Sequence, residues 1–330
     1  MTESPAGSAP DRPIEPLDLT RLRTVPLETR PSLVEERGFA RPTLPGAGFE
    51  TFMESFPSIH AGLAFRELAD AIARAREVGA PVILGMGAHV IKVGLSPLVI
   101  DLLDRGVVTG VALNGAGIIH DFEIATVGRS SEDVGAGLDD GSFGMAKETA
   151  EAVNGAARDA AARGVGLGRG MGDAILATSP PFEKLSILAA CARLDRPATV
   201  HVSIGSDIVH MHANADGAAI GAATMDDFRL LAAVVANLSD GVYLNFGSAV
   251  VLPETFLKAL NMARNVGRVV AGFTTANLDQ IRHYRPRMNV LTRPGGRAIE
   301  LVGHHEFTLP LLRLAVLARL GIVEGTEETR

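Results

Sequence analysis

The 330-residue chain is 47% hydrophobic and 21% charged, and its net charge of −7 with scattered basic residues argues against a nucleic-acid surface. It has no run apolar enough to span a membrane and no basic-then-apolar opening of the signal-peptide kind. A cytoplasmic protein with a substantial core and small-molecule partners is therefore expected. The one cysteine, Cys191, cannot close an internal disulfide, and its apolar helical surroundings, LSILAACARL, predict a buried structural thiol.

Residues 1–45 are rich in proline, which removes backbone donors and biases the preceding residue toward extended geometry, so they read as an extended arm. Residues 46–330 read as one domain. From Ile59 the stretch IHAGLAFRELADAIARAREVG has helical apolar spacing and ends in glycine. PVILGMGAHVIKVG then reads as a β-branched strand, LSPLVIDLLDRG as a helix closed by Gly106, and VVTGVALNGAG as a second strand with its turn. Strand, helix and strand joined so closely predict a right-handed parallel crossover. The segment 126–172 is more polar and glycine-rich, and reads as an insertion or lid. Afterwards helices alternate with the strands ATVHVSIGSD, VYLNFGSAVV and RVVAGFTTAN, and EFTLPLLRLAVLARLG forms a last amphipathic helix. Near-continuous apolar strands alternating with helices predict an α/β fold, a doubly wound parallel sheet in three αβα layers of Rossmann type.

In such a sheet, ligands bind beyond the carboxyl ends of the strands. The residues placed there combine glycines with polar groups: GMGAHVIK, LNGAGIIHDFE, SIGSDIVHMHANADG, NFGSAVVLPE and FTTANLDQ. GMGAHVIKVG is not a full G-x-G-x-x-G fingerprint, since His89 and Val90 stand where a third glycine is sought. Glycine here serves either a tight turn or the close approach of backbone to a ligand.

The run VILGMGAHVIKVGLSPLVIDLLDRGVVTGVALNGAGIIHDFE resembles deoxyhypusine synthases, and the likeness extends from about Gly48 to FTTANLDQ, taking in SIGSDIVHMH and NFGSAVVLPE. NGAGIIHDFE is also similar to the NAD-binding domain of certain bifunctional ornithine cyclodeaminases. The resemblance implies NAD as cofactor, a homotetramer, and cofactor contacts at Gly85, Gly87, His89, Asn114, Gly115, Ala116, Gly117, Asp121, Gly247, Ser248, Thr275, Ala276 and Asn277. It implies transient hydride transfer at a C–N bond of a small amine, polyamine or amino acid. Leu252 stands where that family has its imine-forming lysine, and a leucine cannot be that nucleophile, so the reaction implied is not deoxyhypusine synthesis itself.

Proton removal from an amine needs a base, for which His120, His210 and His212 are candidates, with Asp207 to orient one or to hold an ammonium. Lys92 is a candidate replacement nucleophile or phosphate ligand. Glu254, Arg282 and Arg285 are candidates for holding substrate, since arginine grips carboxylates and phosphates. Two alternatives stand beside this reading. If His210 and His212 share one side of an extended segment they suit a metal-dependent hydrolase, and a chain without the lysine also suits a non-catalytic NAD-binding protein.

Overall fold

A computed structural model of the chain describes residues 14–322. They fall into two compact units that divide between Gly38 and Phe39. In the first, short 3₁₀ turns at Leu19–Arg21, Leu27–Thr29 and Glu36–Gly38 interrupt extended chain. Asp18 caps the first of them, accepting from the backbone N–H and the hydroxyl of Thr20.

The second unit begins with helices α1 (Phe49–Glu54) and α2 (His60–Glu77), which precede strand β1 (Val82–Met86). A one-turn helix α3 (His89–Lys92) and α4 (Ser96–Asp104) lead to β2 (Gly110–Asn114). The long crossover that follows holds α5 (Gly115–Val127), α6 (Val134–Leu138), α7 (Lys147–Arg163), α8 (Leu167–Thr178) and α9 (Ile187–Arg193). Strand β3 (Ala198–His201), α10 (Gly217–Val235), β4 (Val242–Phe246), α11 (Val251–Asn265) and β5 (Thr274–Asp279) come next. The chain closes through α12 (Tyr284–Pro286), a π-helical segment Arg287–Thr292, β6 (Arg297–Val302) and α13 (His305–Arg319). No described helix is long and apolar enough to cross a membrane.

The six strands form one parallel sheet in the order β3-β2-β1-β4-β5-β6. The α/β class and the doubly wound arrangement are thus as the alternation of apolar runs predicts. Ile83, Ala112 and Tyr243 face α10, α11 and the π-helical segment. Their strand neighbours Val82, Leu84, Val111 and Leu244 face the opposite layer, built with α2, α4, α9 and α13. Burial on both faces explains why the inner strands read as unbroken apolar runs. Strand β6, at one edge of the sheet, escapes that reading, since only Ile299 and Leu301 of it are buried.

Three segments differ from expectation. Within 126–172, α7 and the start of α8 place Val153, Ala156, Ala157, Ala160, Leu167 and Met171 in the core. VYLNFGSAVV is a strand only to Phe246, and FTTANLDQ is the body of β5 rather than the loop after it. Cys191 is fully buried, and burial pushes its thiol up to about 12, as a structural thiol requires.

Candidate functional site

Strand order reverses between β1 and β4, so their carboxyl ends open the crevice of the sheet. The two turns there meet glycine to glycine. The N–H of Gly87 donates to the carbonyl of Phe246 at 2.9 Å, and the N–H of Gly247 donates to that of Leu278 at 3.0 Å. A Cβ on Gly87 would lie 2.4 Å from the Gly247 carbonyl oxygen, and one on Gly247 would lie 2.4 Å from Cε1 of His305. Gly247 also has φ +61, a conformation that favours glycine.

Around these turns the ends of β1, β5 and β6 gather imidazoles. The rings of His89 and His305 are 5.5 Å apart, and the Gln280 amide nitrogen lies 2.9 Å from Nε2 of His89. An amide nitrogen can only donate, so in this pairing Nε2 of His89 is the acceptor. His305 is 1% exposed and approaches the carbonyl of Leu278 through Nε2, while its Nδ1 has no partner. Burial disfavours its charged form and lowers its pKa. Nearby, Asn245 donates to the Ser248 carbonyl and to Oδ1 of Asn277, leaving its own buried Oδ1 unpartnered. Asn245 and Gln280 fall within the strand-end stretches NFGSAVVLPE and FTTANLDQ, but no spacing singles them out, and His305 joins them only through the tertiary fold.

The β2 side of the crevice carries an amide and a carboxylate. Asn114 is the N-cap of α5, and its Oδ1 accepts from the N–H of Gly117 at 3.1 Å. Gly115, Ala116 and Gly117 form the first helical turn instead of a loop. Gly115 is there to admit Asp207, whose Oδ2 would lie 1.9 Å from a Cβ. That Oδ2 is buried without a partner, and burial raises the pKa of Asp207 against a smaller opposing effect of His210. Asp207 and His210 also border a small cavity with Gly115 and Asn154.

Several expected contacts are replaced by structural ones. Gly85 lies inside β1, where a Cβ would meet the Tyr243 hydroxyl, so it makes room for a core ring. Asp121 is fully buried and accepts from the Ser186 hydroxyl at 2.5 Å and the N–H groups of Ile187 and Leu188 at 2.8 and 3.2 Å. It anchors the start of α9, and burial raises it to about 6 despite those bonds. Thr275 and Ala276 are fully buried inside β5, and Asn277 is held by Asn245, so none of the three presents a side chain to a cofactor. Ser248 is buried, and its hydroxyl accepts from the N–H of Leu252.

The charged candidates are likewise engaged. Glu254 pairs with Lys258 and with Arg285, and accepts from Asn289 at 2.9 Å. Arg282 pairs with Glu300 at 3.0 Å. Both arginines are paired through Nε, so a substrate anion at either position would compete with a carboxylate of the chain. Lys92 is an exposed residue ending α3, not a lysine enclosed by glycines.

The paired histidines do not share a face, because Ile208–Met211 is a 3₁₀ turn and not an extended segment. Nδ1 of His210 accepts from the N–H of Gly205, whereas Nε2 of His212 donates to the carbonyl of Gly144 at 2.8 Å. His212 therefore tethers the segment after α6. Among the described residues no three His, Cys, Asp or Glu side chains are grouped to hold a metal ion, and the hydrolase alternative loses its premise.

His120 keeps a chemically open position. Its Nδ1 is 2.5 Å from Oγ of Ser130, and Ser130 donates to Oε2 of Glu123 at 2.6 Å. Thr149 donates to the other oxygen of Glu123 at 3.1 Å. Burial lowers the pKa of His120 most; Glu123 opposes this and Lys92 adds to it.

No family model matches the chain. No curated protein matches it either. Among solved structures it is similar to a LOR/SDH protein from Methanococcus maripaludis S2, at 15% identity over 78% of this chain and 70% of that one, with a TM-score of 0.50. It is similar to a cysteine-to-alanine variant of AgrE in complex with L-arginine, at 14% identity and a TM-score of 0.51 over 78% of this chain. The match spans only 32% of the AgrE chain. A deoxyhypusine synthase structure from Entamoeba histolytica matches at 12% identity over 83% of this chain and 94% of that one, with a TM-score of 0.48. At such identities the likeness establishes the α/β Rossmann-like fold and nothing finer.

Proposed function

We propose that this chain is an NAD-dependent enzyme acting on a C–N bond of a small amine, polyamine or amino acid. The observation that carries the reading is the strand order β3-β2-β1-β4-β5-β6, with side-chain-free turns at Gly87 and Gly247 where the order reverses. Such turns let backbone approach a dinucleotide. The donor set fits that group: Asp207 offers a carboxylate oxygen without a partner at the end of β2, suited to ribose hydroxyls, and Asn114 lies beside it. Beside the same turns, His89 and Gln280 meet at 2.9 Å and add polar groups to the crevice. When bound, the nicotinamide supplies a two-electron acceptor for the carbon bearing nitrogen.

Titration calorimetry with NAD, followed by absorbance at the reduced-nicotinamide band while amines and basic amino acids are added, tests the reading. Saturable NAD binding and amine-dependent reduction are expected. A protein that takes up no NAD overturns it. Native mass spectrometry of the same sample reports whether the chains assemble as the tetramer that the family resemblance implies.

A further inference from the structure

The hydroxyl of Ser130 has one proton, and geometry gives it to Glu123 at 2.6 Å. Its oxygen can then meet His120 only as an acceptor, so the His120 proton resides on Nδ1. Nε2 is left with its lone pair, and no hydrogen bond to it is present among the described residues. Thr149 fixes the carboxylate from the other side, and Glu123 Oε2 is 4.0 Å from Nδ1 of His120. The side chains of His120 and Glu123 are 16% and 18% exposed, enough for solvent or ligand to reach the ring but too little for bulk screening. Helix α3, which leads away from the Gly87 turn, packs on α5, the helix that carries His120, and Lys92 at the end of α3 acts on the ring electrostatically.

We propose that His120 is the proton acceptor for an amine substrate, with Ser130 and Glu123 as positioning residues that fix its tautomer; the assignment rests on the NAD-dependent reading above. The arrangement is that of a serine inserted between the histidine and carboxylate of a hydrolytic triad: the carboxylate orients the ring and steadies the imidazolium when it forms. For a neutral amine, a bound oxidised nicotinamide would supply the acceptor for the hydride of the substrate carbon. An N–H proton passes to Nε2 of His120, and the electrons of that N–H bond become the second bond of a C=N. The products are an imine, a reduced nicotinamide and protonated His120, so charge and electrons balance. Release of the Nε2 proton to water restores the base.

Long-range ¹H–¹⁵N spectra of the full chain report the tautomer of each histidine without any substrate. For the unmodified protein the Nδ1–H form of His120 is expected, with its loss in Ser130→Ala and its recovery in Ser130→Thr, which keeps the hydroxyl. A His120 in the Nε2–H form, or one unchanged by Ser130→Ala, overturns the relay. His120→Gln is expected to bind NAD as the unmodified protein does and to lose turnover on a responding amine by roughly 10²–10⁴-fold. Full turnover in that variant overturns the base assignment. An unmodified protein that binds no NAD overturns the dinucleotide reading and the amine chemistry with it, whatever the tautomer.

Discussion

Gly87 and Gly247 are packed so closely that a Cβ on the first would lie 2.4 Å from the carbonyl oxygen of the second. The neighbour is backbone, which cannot swing aside as a side-chain tip would, so Gly87→Ala must separate the β1 and β4 turns. Overpacking of this kind costs about 1–3 kcal/mol. NAD affinity is expected to fall at least tenfold as well, because the separation falls within the proposed site. Gly217→Ala is the control, since nothing lies within 4 Å of a Cβ there. Calorimetric titration and urea unfolding of both variants give the comparison; normal affinity in a destabilised Gly87→Ala would separate the turns from the ligand.

Asp121 was expected beside a cofactor, and its bonds instead hold Ser186, Ile187 and Leu188 at the start of α9. Asp121→Ala removes a cap and strands buried donors, for an expected loss of ~2–4 kcal/mol. Where the variant remains folded, its NAD affinity should be unchanged. Weakened NAD binding with unchanged stability would return Asp121 to the ligand.

The sequence was most legible where local chemistry decides the outcome. Apolar runs at helical spacing and glycine stops predicted α2 and α4 close to their observed limits. The order of the strands was not legible, since each inner strand is apolar on both faces and carries no mark of its neighbour. Nor was the fate of NGAG: its glycines suit a loop, but Asn114 caps a helix that starts at Gly115, and Asp207, far along the chain, explains why no side chain stands there. The histidines were recognised as residue types and misjudged as partners, because the bond from His212 to Gly144 and that from His120 to Ser130 are tertiary facts.

Asp227 links the layers, accepting from the N–H groups of Gly168 and Val200 at 2.9 and 2.8 Å, and burial raises it to about 7. A carboxyl whose folded pKa exceeds its unfolded value of about 3.9 is lost as a stabilising group while pH rises from about 4 to about 7. His201, buried in β3 with its pKa pulled down to about 4, has the opposite slope between about 4 and 6.5. The test is therefore a difference: Asp227→Asn should gain roughly 2–4 kcal/mol relative to the unmodified protein between pH 4.5 and pH 7.5. Urea unfolding of the two proteins at both pH values measures it. A difference independent of pH would mean that Asp227 does not titrate in this range.

Leu252 stands where the resemblance to deoxyhypusine synthases implies a lysine, yet introducing a lysine there should not supply an imine-forming nucleophile. Leu252 is fully buried in the first turn of α11 and packs in the cluster that holds Ile83, Tyr243 and Phe256. Leu252 has no exposed surface, so an amine in its place would be desolvated among apolar side chains, and Leu252→Lys is expected to cost about 3 kcal/mol or more. The lysine would be neutral but enclosed, and a carbonyl substrate in the crevice could not reach it. Borohydride treatment with an aminoaldehyde, followed by peptide mass mapping, should therefore find no adduct at position 252. An adduct would show that α11 can turn this position outward, and the leucine would then be a lost nucleophile and not a core residue.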